Sequence, residues 1–220
     1  MTDALLDAAL GHVTFDGWGE AAFHAAADES GIDRALARVI CPRGALDLAV
    51  AYHRRGDRAM AAALASENLD DLRFRDRIAR AVRLRLSLAD REVVRRGAAL
   101  FALPQNAATG AGLIWGTADT IWTALGDTSD DINWYSKRAT LSAVYSATVL
   151  FWLGDDSVDQ AATWDFLDRR IEDVMRFEKL KAQVRDNPGL SRMLAGPLRL
   201  LGRIRAPVAA GDDLPGKTTR

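Results

Sequence analysis

Apolar residues recur at three- and four-residue spacing along most of this chain, and alternating β-branched runs are nearly absent, a pattern that predicts an all-α protein. Leu5, Leu6 and Ala9 share the inner face of a first helix that Thr2 or Asp3 can cap, and Phe15-Asp16-Gly17-Trp18-Gly19 breaks it. A second helix is predicted from Glu20 to Glu29, a turn at Ser30-Gly31, and a short third helix from Asp33 to Ile40. Pro42-Arg43-Gly44 then breaks the chain before a long helix from Ala45 to Leu64. A helical pair fills Leu72 to Ala102 and closes at Leu103-Pro104-Gln105-Asn106. The next helix, Ala107 to Leu125, carries Ile114, Ala118, Ile121, Trp122 and Leu125 on one face, with Trp115 adjacent. Two further apolar faces follow: Leu141, Val144, Tyr145, Thr148 and Trp152, then Trp164, Leu167, Ile171 and Val174.

The stretch from Gly126 to Leu153, GDTSDDINWYSKRATLSAVYSATVLFWL, is the most informative. Asp127, Thr128, Ser129, Asp130 and Asp131 favour turns and helix starts, because short polar side chains accept from free backbone N–H groups. Trp134 and Tyr135 follow at the mouth of the apolar helix, beside Lys137-Arg138. Aromatics flanked by charge at an element boundary fit a contact surface. They also fit a capped helix with a hydrophobic staple, in which Trp134 packs inward.

Composition narrows the function classes. The 220 residues carry a net charge of −1 and are 49% hydrophobic, enough for one sizeable core and unlike a bulk nucleic-acid binder. The single cysteine, Cys41, excludes an internal disulfide framework and fits a reducing compartment. MTDALLDAALGHV has no basic start or long apolar run and does not read as a signal peptide. No apolar run approaches the roughly 18 residues of a spanning helix, so membrane contact is expected to be peripheral. His12, His24 and His53 form no metal-ligand spacing, and no nucleophile elbow is present; neither cofactor nor metal nor catalysis is expected. The glycines of Gly110-Ala-Gly112 and Gly116 do not make a nucleotide loop, because no strand precedes them. The arginines of the middle section, among them Arg73, Arg75, Arg77, Arg80, Arg83, Arg85, Arg91, Arg95 and Arg96, read as a solvated face with local ion pairs. Trp115, Trp122, Tyr145, Phe151, Trp152 and Trp164, interleaved with small residues, suit either a packed core or an elongated apolar cavity.

Ala27-Asp-Glu-Ser-Gly31-Ile32 has the small-residue, glycine and aliphatic order of a helix-turn-helix, and the first four helices resemble the TetR-type regulator fold. The third helix, DRALARVI, offers only Arg34 and Arg38 for base contacts, so the helix-turn-helix is expected as scaffold without nucleic-acid binding. A ligand-responsive TetR-type transcriptional regulator is the alternative.

DINWYSKRATLSAVYSAT, with TWDFLDRRIEDVMRFEKLK downstream, resembles the lipid-binding accessory proteins of ubiquinone biosynthesis over most of the chain. The resemblance implies a non-catalytic protein that holds an isoprenoid quinone precursor or phospholipid and presents it to a hydroxylase of the pathway. It favours a cavity lined by Trp115, Ile121, Trp122, Leu141, Tyr145, Thr148 and Trp152. It also implies a partner surface at Asp131, Trp134, Tyr135 and Arg138. The segment after Asn187 has an apolar stripe, Leu190, Met193, Leu194, Leu198 and Leu201, opposite Arg192 and Arg199. That amphipathic pattern, with the resemblance, implies a membrane-contacting helix at the inner face of the cell membrane. The expected organisation is a helix-turn-helix portion (1–65), a lipid-binding bundle (66–185), the amphipathic helix (186–205) and a disordered tail (206–220). TetR-like folds commonly pair through their last two core helices, so a homodimer is expected.

Overall fold

The computed structural model describes residues 1–185 and 205–207, with side chains through Arg176 and again at 205–207. Within them the chain forms α1 (Thr2–Asp16), α2 (Glu20–Ser30), α3 (Arg34–Ile40), α4 (Ala45–Ser66) and α5 (Phe74–Ser87). It continues with α6 (Arg91–Phe101), α7 (Ala107–Ala124), α8 (Ile132–Leu153), a 3-10 turn (Val158–Gln160) and α9 (Ala161–Arg185). All regular elements among the described residues are helical, as the periodicity predicts. The predicted amphipathic helix, including Leu190, Arg192, Met193, Leu194, Leu198, Arg199 and Leu201, lies outside the described residues. Arg205, its predicted last residue, is not helical, consistent with Pro207 disfavouring helical backbone at Ala206.

Short acidic side chains set several helix starts. Asp33 accepts from Ala35 and Leu36 N at α3, Asp90 from Val93 N at α6, and Asp131 from Asn133 N at α8. The Asp131 cap starts α8 at Ile132, so Trp134 and Tyr135 stand in its first turn. Asp155 accepts from the backbone of Ser157 and Thr163 and from the Thr163 hydroxyl at the start of α9. Hydrogen bonds from Ser157 and Thr163 hold its carboxyl below the usual range. Gly31, at φ 67°, takes the left-handed conformation that turns α2 towards α3.

Two apolar cores meet along α4. Leu5, Leu6, Val13, Phe23, Leu48 and Ala49 belong to the N-terminal core, and Met60, Leu64, Val82, Ile121, Trp152 and Leu167 to the bundle core. The first half of α4 therefore serves the helix-turn-helix portion and the second half serves the bundle. Between them sits a buried polar hub. Arg85 Nε donates to Asp57 Oδ1 at 2.7 Å, and Arg85 Nη2 donates to the His53 carbonyl at 3.1 Å. The Thr117 hydroxyl donates to the same Asp57 oxygen at 2.9 Å and lies 2.8 Å from His53 Nε2, which must then carry its proton. Gly56 makes the room: a Cβ there would stand 2.6 Å from the Arg85 guanidinium carbon.

The arginine-rich section does more than face solvent. Arg83 reaches across to Asp168 of α9 at 2.7 Å. Arg91 donates to the carbonyls of Trp152 and Asp155, and Arg95 donates to the Leu153 carbonyl at 2.7 Å. Arg91 and Arg95 thereby satisfy the last carbonyls of α8, where the helix dipole favours a cation.

Arg85→Ala strands the Asp57 carboxylate in the interior, and the expected loss is about 3–5 kcal/mol, read as a lower urea midpoint. Burial pushes His53 down from 6.5 to about 4, against the pull of Asp57. The unfolded chain therefore takes up this proton first as pH falls. The His53 contribution is complete above pH 6.5 and should fade between 6.5 and about 4, a loss that His53→Gln should abolish in a pH series of denaturation curves.

Candidate functional site

The turn from α7 to α8 is tied by charge. Arg138, in the second turn of α8, donates through Nε to Asp119 Oδ1 of α7 at 2.6 Å and through Nη1 to Asp127 Oδ2 of the turn at 3.0 Å. Lys137 Nζ reaches the other Asp127 oxygen at 2.7 Å, and the Ser129 hydroxyl donates to that oxygen at 2.8 Å. Burial alone would raise the Asp127 carboxyl, but hydrogen bonds from Lys137, Ser129 and Arg138 outweigh it and bring it to about 2. Asp127 and Arg138 have only 3% and 2% of their side chains exposed, so each charge depends on the other for solvation.

On one side of this knot lies a cavity of about 270 Å³ between α5, α7, α8 and α9. Phe74, Ile78, Trp122, Leu141, Val144, Ile171, Val174 and Met175 supply its apolar wall; Arg75, Asn133, Ser136, Lys137 and Thr140 supply its polar lining. Trp122 is held in place at its indole nitrogen, which donates to the Lys137 carbonyl at 3.2 Å. Its ring meets Phe74 at 5.3 Å between centroids, and the Lys137 ammonium lies 5.0 Å from its centre. Such a volume is slightly below the roughly 300–1,000 Å³ of drug-sized ligand sites. It suits a stretch of apolar chain with a polar group at the rim.

On the other side three half-buried aromatics cluster. Trp134 and Tyr135 pack edge to face at 4.8 Å, and Trp115 of α7 lies 5.9 Å from Trp134 and 6.5 Å from Tyr135. The Arg138 guanidinium sits 4.0 Å from the centre of the Trp134 ring. Trp134 is therefore neither free on the surface nor lost in the core: it covers the cation behind it and leaves an edge in solvent.

Of the residues expected to line a cavity, Trp122 and Leu141 do so. Trp115 instead joins the aromatic face, because its ring meets the first turn of α8. Ile121, Thr148 and Trp152 are core residues; the Thr148 hydroxyl donates to the Val144 carbonyl at 2.7 Å, and Trp152 Nε1 to Gln160 at 2.8 Å. Tyr145 lies beside Arg85, and burial raises its phenol. Position along the helix explains the split: the cavity borders α8 only as far as Val144, and Tyr145, Thr148 and Trp152 continue the same apolar stripe into the packed core. Among the expected partner residues, Asp131 caps α8 and Tyr135 faces out with Trp134. The guanidinium of Arg138 is buried and bonded to Asp119, Asp127 and the Trp134 carbonyl, behind the face rather than on it. Phe74, Ile78 and Met175 also belong to the cavity wall, and the sequence pattern scarcely marks them. Their one signal, Phe74 and Ile78 spaced four apart, is crowded by the arginines of FRDRIARAVRLRLS.

The third helix is likewise committed elsewhere. Arg34 pairs with Asp28 and Arg38 with Glu20, leaving Ala35, Leu36 and Val39 exposed. Reading base edges with either arginine would first require breaking an ion pair.

Comparison with known proteins places this geometry in context. The COQ9 family model matches residues 107–178, from α7 into α9. A probable mitochondrial ubiquinone biosynthesis protein coq9 from Dictyostelium discoideum is 30% identical over 195 residues, 85% of this chain and 64% of that protein. The mitochondrial ubiquinone biosynthesis protein COQ9 of Rattus norvegicus is 38% identical over 103 residues, and that of Homo sapiens 36% over 103. These matches span 33% and 32% of the mammalian proteins, so the chain covers less than two thirds of each of these relatives. In fold, the chain is similar to a TetR transcriptional regulator from Nitrosomonas europaea, with a TM-score of 0.63 at 21% identity over 78% of this chain and 96% of that one. That likeness shows the TetR-like architecture.

The division between support and surface can be measured. Arg138→Ala should cost about 3 kcal/mol or more, because Asp119 and Asp127 lose their shared cation, whereas half-exposed Tyr135→Ala should cost about 1 kcal/mol. Thermal denaturation of the two variants distinguishes them; equal and small losses would mean that Arg138 is not a structural tie.

Proposed function

We propose, for a chain whose residues 107–178 carry the COQ9 family segment, a non-catalytic role in ubiquinone biosynthesis: binding an isoprenoid quinone precursor or phospholipid and offering it to a partner hydroxylase. The observation that carries this reading is the juxtaposition on α8. An apolar cavity lies on one side of its first turns and an aromatic face on the other, with the Asp127–Arg138 tie between them. Each CH₂ taken from water contributes about 0.8 kcal/mol, so even a partly enclosed prenyl chain binds appreciably. The cavity takes part of such a chain and leaves the polar head at the Asn133, Ser136 and Thr140 rim.

The partner-facing residues in this reading are Trp134, Tyr135 and Trp115, with Asp131 and Arg138 holding them in place. The protein contributes no catalytic group; it positions a substrate for the hydroxylase. No helix among the described residues is long and apolar enough to cross a membrane. Access to bilayer lipid is assigned to the segment after Asn187, at the inner face of the cell membrane. Pairing through α8 and α9 would cover Leu150, 67% exposed, and the stacked Phe151–Phe166 pair, whose rings lie 4.5 Å apart.

Native mass spectrometry of protein purified from ubiquinone-producing cells tests both points in one spectrum. The expected result is a dimer retaining isoprenoid or phospholipid, with the ligand largely lost in Val144→Trp, whose indole fills the cavity. A monomer would remove the pairing assignment. A ligand-free spectrum, or equal occupancy in the filled variant, would remove the cavity assignment.

A further inference from the structure

Arg205 and Ala206, far along the chain, lie against the start of α8 and the turn before it. The Ala206 N–H donates to the Asp130 carbonyl at 2.9 Å, and the Tyr135 hydroxyl donates to the Arg205 carbonyl at 3.1 Å. The Arg205 guanidinium stands 3.8 Å from the Asp130 carboxylate. A backbone donor, a backbone acceptor and a cation on one short segment are each met by a complementary group on the same face. Recognition of the main chain with one matched charge is how surfaces commonly hold short peptide segments.

We infer that the Asp130–Tyr135 face is a peptide-binding surface, and that Arg205–Pro207 of this chain is its resident occupant, a strap that an incoming partner must displace. The inference rests on the reading of Trp134 and Tyr135 as a docking face, because the strap takes the Tyr135 hydroxyl that such a partner would use.

The strength of the contact suits displacement. Asp130 and Arg205 have 85% and 72% of their side chains exposed, so solvent and salt screen their pair. The hydrogen bonds are two and neutral, and Ala206 alone of the three residues is half-buried. A strap this light stays closed in the free protein yet yields to a segment with more to bury. The partner segment that fits offers the same groups: a non-helical stretch with a free N–H, a carbonyl and a basic side chain. While the strap is closed, apparent partner affinity falls by the fraction of molecules that are open.

Arg205→Glu combined with Ala206→Pro removes the cation and the N–H donor while leaving α8 untouched. Two readouts on the full chain decide the matter. In hydrogen exchange, the Ala206 amide of the wild type should be protected, and Tyr135→Phe, which keeps the ring but loses the hydroxyl, should speed its exchange. In binding to the ubiquinone-pathway hydroxylase of the same organism, the double variant should bind about three- to tenfold more tightly than wild type, the factor expected for losing one or two such hydrogen bonds. An unprotected Ala206 amide, or equal or weaker binding by the double variant, overturns the strap. If neither protein binds the hydroxylase, the docking reading fails, and exchange at Ala206 alone decides whether the strap exists.

Discussion

The arrangement turns on one buried cation. Arg138 draws together a carboxylate of α7, a carboxylate of the following turn and a carbonyl of its own helix, while its flat face supports Trp134. An isolated charge in that position would be costly, so the two aspartates and the guanidinium form only as a set. Once formed, the set fixes how α8, begun at the Asp131 cap, is rotated against α7. That rotation places Trp134 and Tyr135 against Trp115 and turns Lys137, Leu141 and Val144 towards α5 and α9. Cavity and face are consequences of the same tie.

A second buried arginine does comparable work where the two cores meet. Arg85 joins α5 to Asp57 and the His53 carbonyl of α4, and Thr117 of α7 completes the hub. The helix-turn-helix portion is thus joined to the bundle through α4, and both arginines of α3 are paired within their own module. The TetR-like frame is present, and its two buried arginines, Arg85 and Arg138, tie its helices together from within.

Most of the fold is legible in the chain. Helical spacing, the glycine and proline breaks, and the acidic caps locate the helices to within a few residues, and Asp131 is readable as a cap because a short carboxylate there has free N–H groups to accept from. The site is less legible. Periodicity finds an apolar stripe on α8 but does not say which stretch of it borders a void, so Tyr145, Thr148 and Trp152 are indistinguishable in sequence from Leu141 and Val144. Arg85 and Arg138 look like surface residues, because nothing local marks the distant carboxylates that permit their burial. Phe74 and Ile78 are hidden for the converse reason: the charged residues around them dominate the pattern. The contact of Arg205–Pro207 with Asp130 and Tyr135, a pairing across some seventy positions, has no sequence signal at all.

The central claim is that an apolar chain enters between α5, α8 and α9, directly behind the aromatic face. Anomalous diffraction from crystals grown with a bromine-labelled isoprenoid chain tests it most directly. The account predicts a bromine peak enclosed by Phe74, Trp122, Val144 and Val174. A peak confined to another surface, or a fully loaded protein whose cavity stays empty, would contradict it.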